Sequence, residues 1–228
     1  MSYKTLKTKT MSPTISTKAL LIIGILASIF VGIGEFLLHF LPEGPTGEIS
    51  MLYDVPIERA SKGHFFAVYA APFYFAGYYG LIRFFKNSNQ FLATLLFILG
   101  VLSFAYGSVY VSSRYFAAEV LQRSMDTPDF EFYLASYEKH YQSTVWALRI
   151  LILSVSIVYG ILVAKNNFGM PKWLAVFNPI VLLILIISSI AWAKPIGVYI
   201  APIAMNATHF IFFGIILLQL NKQKSQTK

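Results

Sequence analysis

The sequence contains no cysteine. That excludes disulfides, thiolate metal centres and a cysteine nucleophile. It leaves the redox compartment unspecified. Charge is the second shortage. Only 12% of the residues are Asp, Glu, Lys or Arg, about half the ~25% of an ordinary soluble domain, so a water-facing surface cannot be covered. With 57% hydrophobic residues and a mean hydropathy of +0.64, the chain falls in the membrane class. A Gly-rich phosphate loop is also missing, which argues against nucleotide binding. No lysine stands in the middle of an apolar run, which excludes a retinal Schiff base. No internal repeat, low-complexity tract or domain boundary interrupts the chain, so one bundle is expected.

Long apolar runs and aromatic residues are what the sequence does have. The first run, Ala19 to Leu41, exceeds the ~7–15 residues of a secretory h-region and matches the ~20 a span needs. The polar stretch before it carries Lys4, Lys7, Lys9 and Lys18, but no A-x-A-type site follows, so an uncleaved first span is expected. Five more runs cover His64–Phe85 with Pro72 as a kink, Phe91–Phe116, Thr144–Ala164, Trp173–Trp192 and Val198–Leu220. The fifth has a Trp at each end, as interfacial anchors would be placed. The expected fold is all-α: an integral membrane bundle of six transmembrane helices over residues 19–220, with basic tails at 1–18 and 221–228.

Charge orients the bundle. With both termini cytoplasmic, the cytoplasmic segments hold Lys4, Lys7, Lys9, Lys18, Arg83, Lys86, Lys165, Lys172, Lys222, Lys224 and Lys228, and no acid. All ten Asp and Glu lie in the outer loops or the outer half of a span. The reverse orientation would break the positive-inside rule at every loop. The same distribution explains the net charge of +8 without a nucleic-acid partner.

The two large outer segments are 42–63 and 114–143. In the first, Asp54, Pro56 and Glu58 form a helix-start pattern with Asp54 as cap. In the second, Met125-Asp126-Thr127-Pro128-Asp129 reads as a turn, with Asp126 or Thr127 capping a helix. Phe130, Tyr133, Leu134, Tyr137 and Tyr141 then recur at helical spacing. Helices 3 and 4 are therefore expected to extend outward as a helical cap.

The chemistry-bearing residues gather at mid-depth or above. On the first span Gly24, Ser28, Gly32, Glu35 and His39 form one stripe, with Glu35 about 9 Å inside the outer end at 1.5 Å per residue. Arg149 lies below Trp146, and pairing with Glu35 would compensate both charges. On the sixth span Asn206 and His209 share a face with Tyr199, and His209 lies roughly 15 Å below the outer end. Tyr74 and Tyr78 on the second span, and Tyr110 and Arg114 on the third, approach the same level. His140 falls in the cap, where solvation is its ordinary state. The inner half is almost purely apolar, with Asn178-Pro179 a kink at most. A transport path would need polar groups through the full thickness, so a pocket open to the outer side is favoured.

Gly34-Glu35-Phe36-Leu37-Leu38 closes the first span, a short outer loop follows, and Pro56-Ile57-Glu58-Arg59 leads into a second span rich in small residues. This order resembles a group of uncharacterised bacterial multi-pass membrane proteins. The likeness ends near Phe85. It implies a bacterial cytoplasmic membrane and carries no activity.

Two main function classes remain open. One is an intramembrane enzyme acting on a lipid-like or small amphipathic substrate. Its catalytic candidates are Glu35, His39, Arg149 and His209, with Tyr74, Tyr78, Tyr110, Arg114 and Asn206 binding substrate. The chemistry would be acid–base, or assisted by a zinc-type divalent metal on His39, His64 and His209. No HExxH is present. The other class is a non-catalytic binding protein, sensor or assembly subunit built around an outward aromatic pocket. A small transporter ranks third. The expected partners are the bilayer and a lipid-like or small-molecule ligand on the outer side.

Overall fold

The computed structural model describes residues 15–42, 49, 51–166 and 169–226. The tail lysines Lys4, Lys7, Lys9 and Lys228, and the loop acids Glu43 and Glu48, lie outside them. Among the described residues the secondary structure is entirely helical. The helices are α1 (Thr17–His39), α2 (Met51–Asp54), α3 (Ile57–Ala70), α4 (Phe73–Phe85), α5 (Gln90–Ser124), α6 (Phe130–Ala164), α7 (Pro179–Trp192), α8 (Ile196–Ile200) and α9 (Ala204–Gln226). Two 3₁₀ turns, Lys172–Val176 and Ala201–Ile203, precede α7 and α9.

Among the described residues, five segments are long and apolar enough to cross a membrane: α1, α3–α4 together, α5, α6, and the stretch from Ile196 into α9. The chain is an integral-membrane type of helical bundle. The expected fifth span is different. Its α-helical part is α7, with 14 residues, or about 21 Å at 1.5 Å per residue, against a hydrocarbon core of ~30 Å. Asn178-Pro179 starts this helix instead of kinking it. The Asn178 side chain accepts from the Val181 N–H at 3.1 Å and donates to the Ala175 carbonyl at 3.0 Å, and Pro179 occupies the first turn.

Two other helix starts differ from expectation. Asp54 ends α2 and does not cap α3, whose N-cap is Pro56 without a side-chain bond. Neither Asp126 nor Thr127 caps α6. Its N-cap is Asp129, and the Thr127 hydroxyl donates back to the Ser124 carbonyl at 2.8 Å, closing α5. Pro72 breaks the second span as expected, separating α3 from α4.

The bundle is assembled around α1, which packs against α3, α4 and α9. Close approach to α3 requires glycine on both sides. A Cβ on Gly34 would lie 2.5 Å from the Ala67 nitrogen and 2.6 Å from the Gly63 carbonyl oxygen. Such backbone-to-backbone contact is how small residues hold membrane helices, where apolar surface gains nothing by leaving lipid. The main core contains Leu21, Tyr74, Tyr78, Phe104, Tyr159 and Phe213.

The helices α5 and α6 have 35 residues each, about 52 Å at 1.5 Å per residue, and pack as an antiparallel pair. At their joined end, the hairpin end below, a second cluster forms from Leu52, Ala118 and Leu121 with Tyr53, Phe130 and Leu134 around it. Gln122 ties α2 down by donating to the Leu52 and Val55 carbonyls at 2.7 and 2.9 Å. Outside the apolar spans, Tyr53 has its hydroxyl pKa raised above 10.0, first by burial and then by the Glu138 and Glu131 carboxylates.

Candidate functional site

Glu35 lies one turn from the end of α1, toward the hairpin end. Gly32, one turn earlier on the same face, leaves room for α9, and a Cβ on Gly32 would meet the Asn206 Cβ at 3.4 Å. Asn206 is therefore brought against Glu35. Its Nδ2 donates to Glu35 Oε2 at 2.5 Å, and its Oδ1 accepts from the Tyr74 hydroxyl at 2.7 Å. Both ends of the amide are used, which fixes its orientation. The amide thereby links α1 to α4 through α9.

One turn along α9, His209 makes a second pair. Its Nδ1 lies 2.9 Å from the Met205 carbonyl, and its Nε2 lies 2.9 Å from the Tyr78 hydroxyl. A carbonyl only accepts, so Nδ1 carries a proton and donates to it; with that tautomer of the neutral ring, Nε2 accepts from Tyr78. Tyr74 and Tyr78 are one turn apart on α4, so a single helix face supplies both hydroxyls. The Tyr74 ring stacks on Phe104 at 3.6 Å, and Phe104 meets His209 edge-on at 4.8 Å.

Glu35, Asn206 and His209 line one cavity of about 110 Å³, together with Ser103, Ser108 and Tyr110. The remaining wall is apolar and includes Val31, Val68, Phe104, Leu148, Ile152 and Met205. The space admits several waters or a small head group, since one water needs about 10–15 Å³ of such volume.

Arg114 supplies the cation. It is 2% exposed, and its Nη1 donates to the Tyr110 hydroxyl at 2.6 Å. Its guanidinium lies 5.2 Å from the Tyr110 ring centre and 5.5 Å from that of Tyr141. Its charge acts on both Glu35 and His39. Pairing of Glu35 with Arg149 is overturned. Arg149 is exposed, with its guanidinium 5.2 Å from the Trp146 ring centre. It stands on the outward face of α6 with Ile150, Leu153 and Ile157, all exposed.

The histidines also separate. His64 is buried against aromatic rings, stacked on Tyr115 at 5.0 Å and edge-on to Phe65 and Phe116. His39 is buried at the end of α1 near the Pro202 carbonyl. His209 belongs to the Tyr78 pair. Among the described residues no three His, Asp or Glu are placed to hold one metal ion, so the metal set His39, His64 and His209 is not assembled. Tyr199 does not join its supposed face-mates. It is exposed and stacks on Phe40 at 5.0 Å.

Of the residues singled out in the sequence, Glu35, Asn206, His209 and Tyr110 meet at the cavity, with Tyr74 and Tyr78 bonded behind it and Arg114 beside it. Ser103, Ser108 and Phe104 were not foreseen. A serine pair on α5 that faces inward gives little signal, because in helices both hydroxyls can be satisfied locally, here by the Leu99 and Phe104 carbonyls.

No curated protein and no solved structure matches the chain. A model of a family of unknown function (DUF6796) matches residues 6–223, nearly the whole sequence, and the chain belongs to that family.

Proposed function

We propose that this is a six-span membrane protein that binds the head group of a small amphipathic ligand in the Glu35–Asn206–His209 cavity. In this reading both termini are cytoplasmic, and the hairpin end, with segment 114–143, forms a cap on the outer face of a bacterial cytoplasmic membrane. The basic residues Lys18, Arg83, Lys86, Lys165 and Lys172 at the opposite end support that orientation. The fifth crossing uses α7 together with the 3₁₀ turn Lys172–Val176 before it.

One observation carries the binding reading. A carboxyl group, an amide and an imidazole line a single cavity whose other walls are mostly apolar. Few convergent polar groups in an apolar cleft are the usual form of a small-molecule site. Glu35 offers only acceptors when ionised, so the preferred head group donates hydrogen bonds, as an amine or alcohol does. An acid–base reaction is the second reading, favoured because Glu35 and His209 face the same space. The metal-assisted version has no assembled ligand set behind it.

Binding of dodecylamine to the protein in lipid nanodiscs tests the reading. A hydrogen bond to a charged group is worth about 1.5–3 kcal/mol, so Glu35→Gln should weaken binding at least ten-fold. Equal affinity in wild type and Glu35→Gln refutes the site. Turnover of an ester or amide amphiphile that vanishes in both Glu35→Gln and His209→Phe would select the catalytic reading.

A further inference from the structure

The cavity is too small for an amphiphile with a long chain. A second space adjoins it. A groove of about 480 Å³ runs between α1 and α9 on the apolar face of the bundle, lined by Ile29, Ile33, Phe36, Ile203, Ala207 and Phe210, with Gly32 and Asn206 also on its wall. Asn206 lines the internal cavity as well, so the two spaces meet at this residue. The residues flanking it face the lipid: Ile29, Ile33 and Phe210 are all exposed. Gly32 presents no side chain at the crossing.

Resting on the binding reading above, we infer that Asn206 is a gate between the bilayer and the cavity, and that the ligand enters sideways from the lipid. The head group would pass between α1 and α9 while its alkyl chain stays in the groove. The displaced amide gives up two bonds and recovers one by turning its Oδ1 to a donor of the incoming head group. The Asn206 amide now donates to Glu35 Oε2, and an incoming N–H or O–H would take over that bond as the amide swings aside. The Tyr74 hydroxyl, released by the amide oxygen, is left free to turn to the same head group. The occupant is thus a single-chain amphiphile dissolved in the membrane with a donating head. A water-soluble ligand descending from the hairpin end would have no use for the groove.

Photolabelling separates the routes. The protein in nanodiscs is exposed to dodecylamine bearing a diazirine near the chain terminus, and crosslinks are mapped by mass spectrometry. Labels on residues 28–37 and 200–210 are expected. Ala207→Trp and Ile33→Trp, which fill the groove from the lipid side, should each reduce labelling and dodecylamine affinity at least ten-fold. Ala70→Trp, placed in a separate apolar groove between α1 and α3, should change neither. Melting temperatures show that each variant is folded, and two groove variants guard against the loss of one. Labels on residues 49–63 or 114–143, with affinity intact in both groove variants and lost in Glu35→Gln, would overturn the sideways route and leave the binding reading standing. Wild-type protein that neither binds nor labels would overturn both.

Discussion

Asn206→Leu is the sharpest test of the buried network, because two bonds meet at that amide. Leucine keeps the volume and removes the Nδ2–H donor to Glu35 and the Oδ1 acceptor for Tyr74. The bond to the carboxylate is worth about 1.5–3 kcal/mol and the orphaned hydroxyl costs about 1–3 kcal/mol by soluble-protein measures. In bilayers, interhelical bonds average about 0.6 kcal/mol with a maximum near 1.7, because the unfolded helices also find partners. The two scales together give about 2–4 kcal/mol for Asn206→Leu. Tyr74→Phe alone, which keeps the ring stacked on Phe104, should cost about 0.6–1.7 kcal/mol. The decisive sample is the double variant. With leucine at 206 the Tyr74 hydroxyl has already lost its acceptor, so removing it should cost nothing or stabilise by up to about 1 kcal/mol. Reversible unfolding by SDS in mixed micelles, followed through the three tryptophans, reads all four proteins. Independent sites add within about 0.3–0.5 kcal/mol. If the two substitutions add to that tolerance, the Tyr74–Asn206 bond is not contributing and the network argument fails.

Other perturbations separate the parts of the fold. Gly34→Ala would drive a Cβ into the α3 backbone and should abolish folding in the same assay, whereas Gly160→Ala, with nothing within 4 Å, should gain up to about 1 kcal/mol of helix propensity. Arg114→Gln removes the buried donor to the Tyr110 hydroxyl and should cost about 1–3 kcal/mol. Arg149→Gln, at an exposed site, should change stability by less than about 0.5 kcal/mol, and equal losses in the two would return Arg149 to the network. Gln122→Ala frees the Leu52 and Val55 carbonyls and should cost about 1–2 kcal/mol, seen as faster proteolytic cleavage within residues 49–57 while cleavage elsewhere stays unchanged.

The contrast between Arg114 and Arg149 shows where sequence reasoning stops. The membrane class was legible from charge alone, and the first helix was placed within two residues at each end. That Glu35 and Asn206 lie at one level along the bundle was legible too, since rise per residue is fixed. Their azimuth was not. In a soluble helix the polar face announces the solvent side, but in lipid the outward face is as apolar as the core. On α6 the outward residues Ile150, Leu153 and Ile157 and the inward residues Ile152, Val155 and Val158 are chemically alike, so nothing in the local sequence said which way Arg149 points.

Inward direction is written instead in small residues. Gly24, Ser28 and Gly32 placed Glu35 correctly on the bundle side of α1, because only there can another backbone come close. No such stripe accompanies Arg149, and the exposed Trp146 one turn away is the residue it covers. Arg114 has Val111 and Ala118 one turn on either side of it, both buried, and this inward stripe on α5 was the available signal. The same reasoning accounts for the metal set. His39 ends α1 while His209 lies a turn beyond Asn206 on α9, and the packing that fixes their remaining coordinates is set between helices. Metal coordination within about 2.0–2.1 Å demands all three coordinates at once. A binding cavity is less exacting, because it needs only that a few polar groups border one space, and the stripe on α1 facing the Asn206 side of α9 meets that condition.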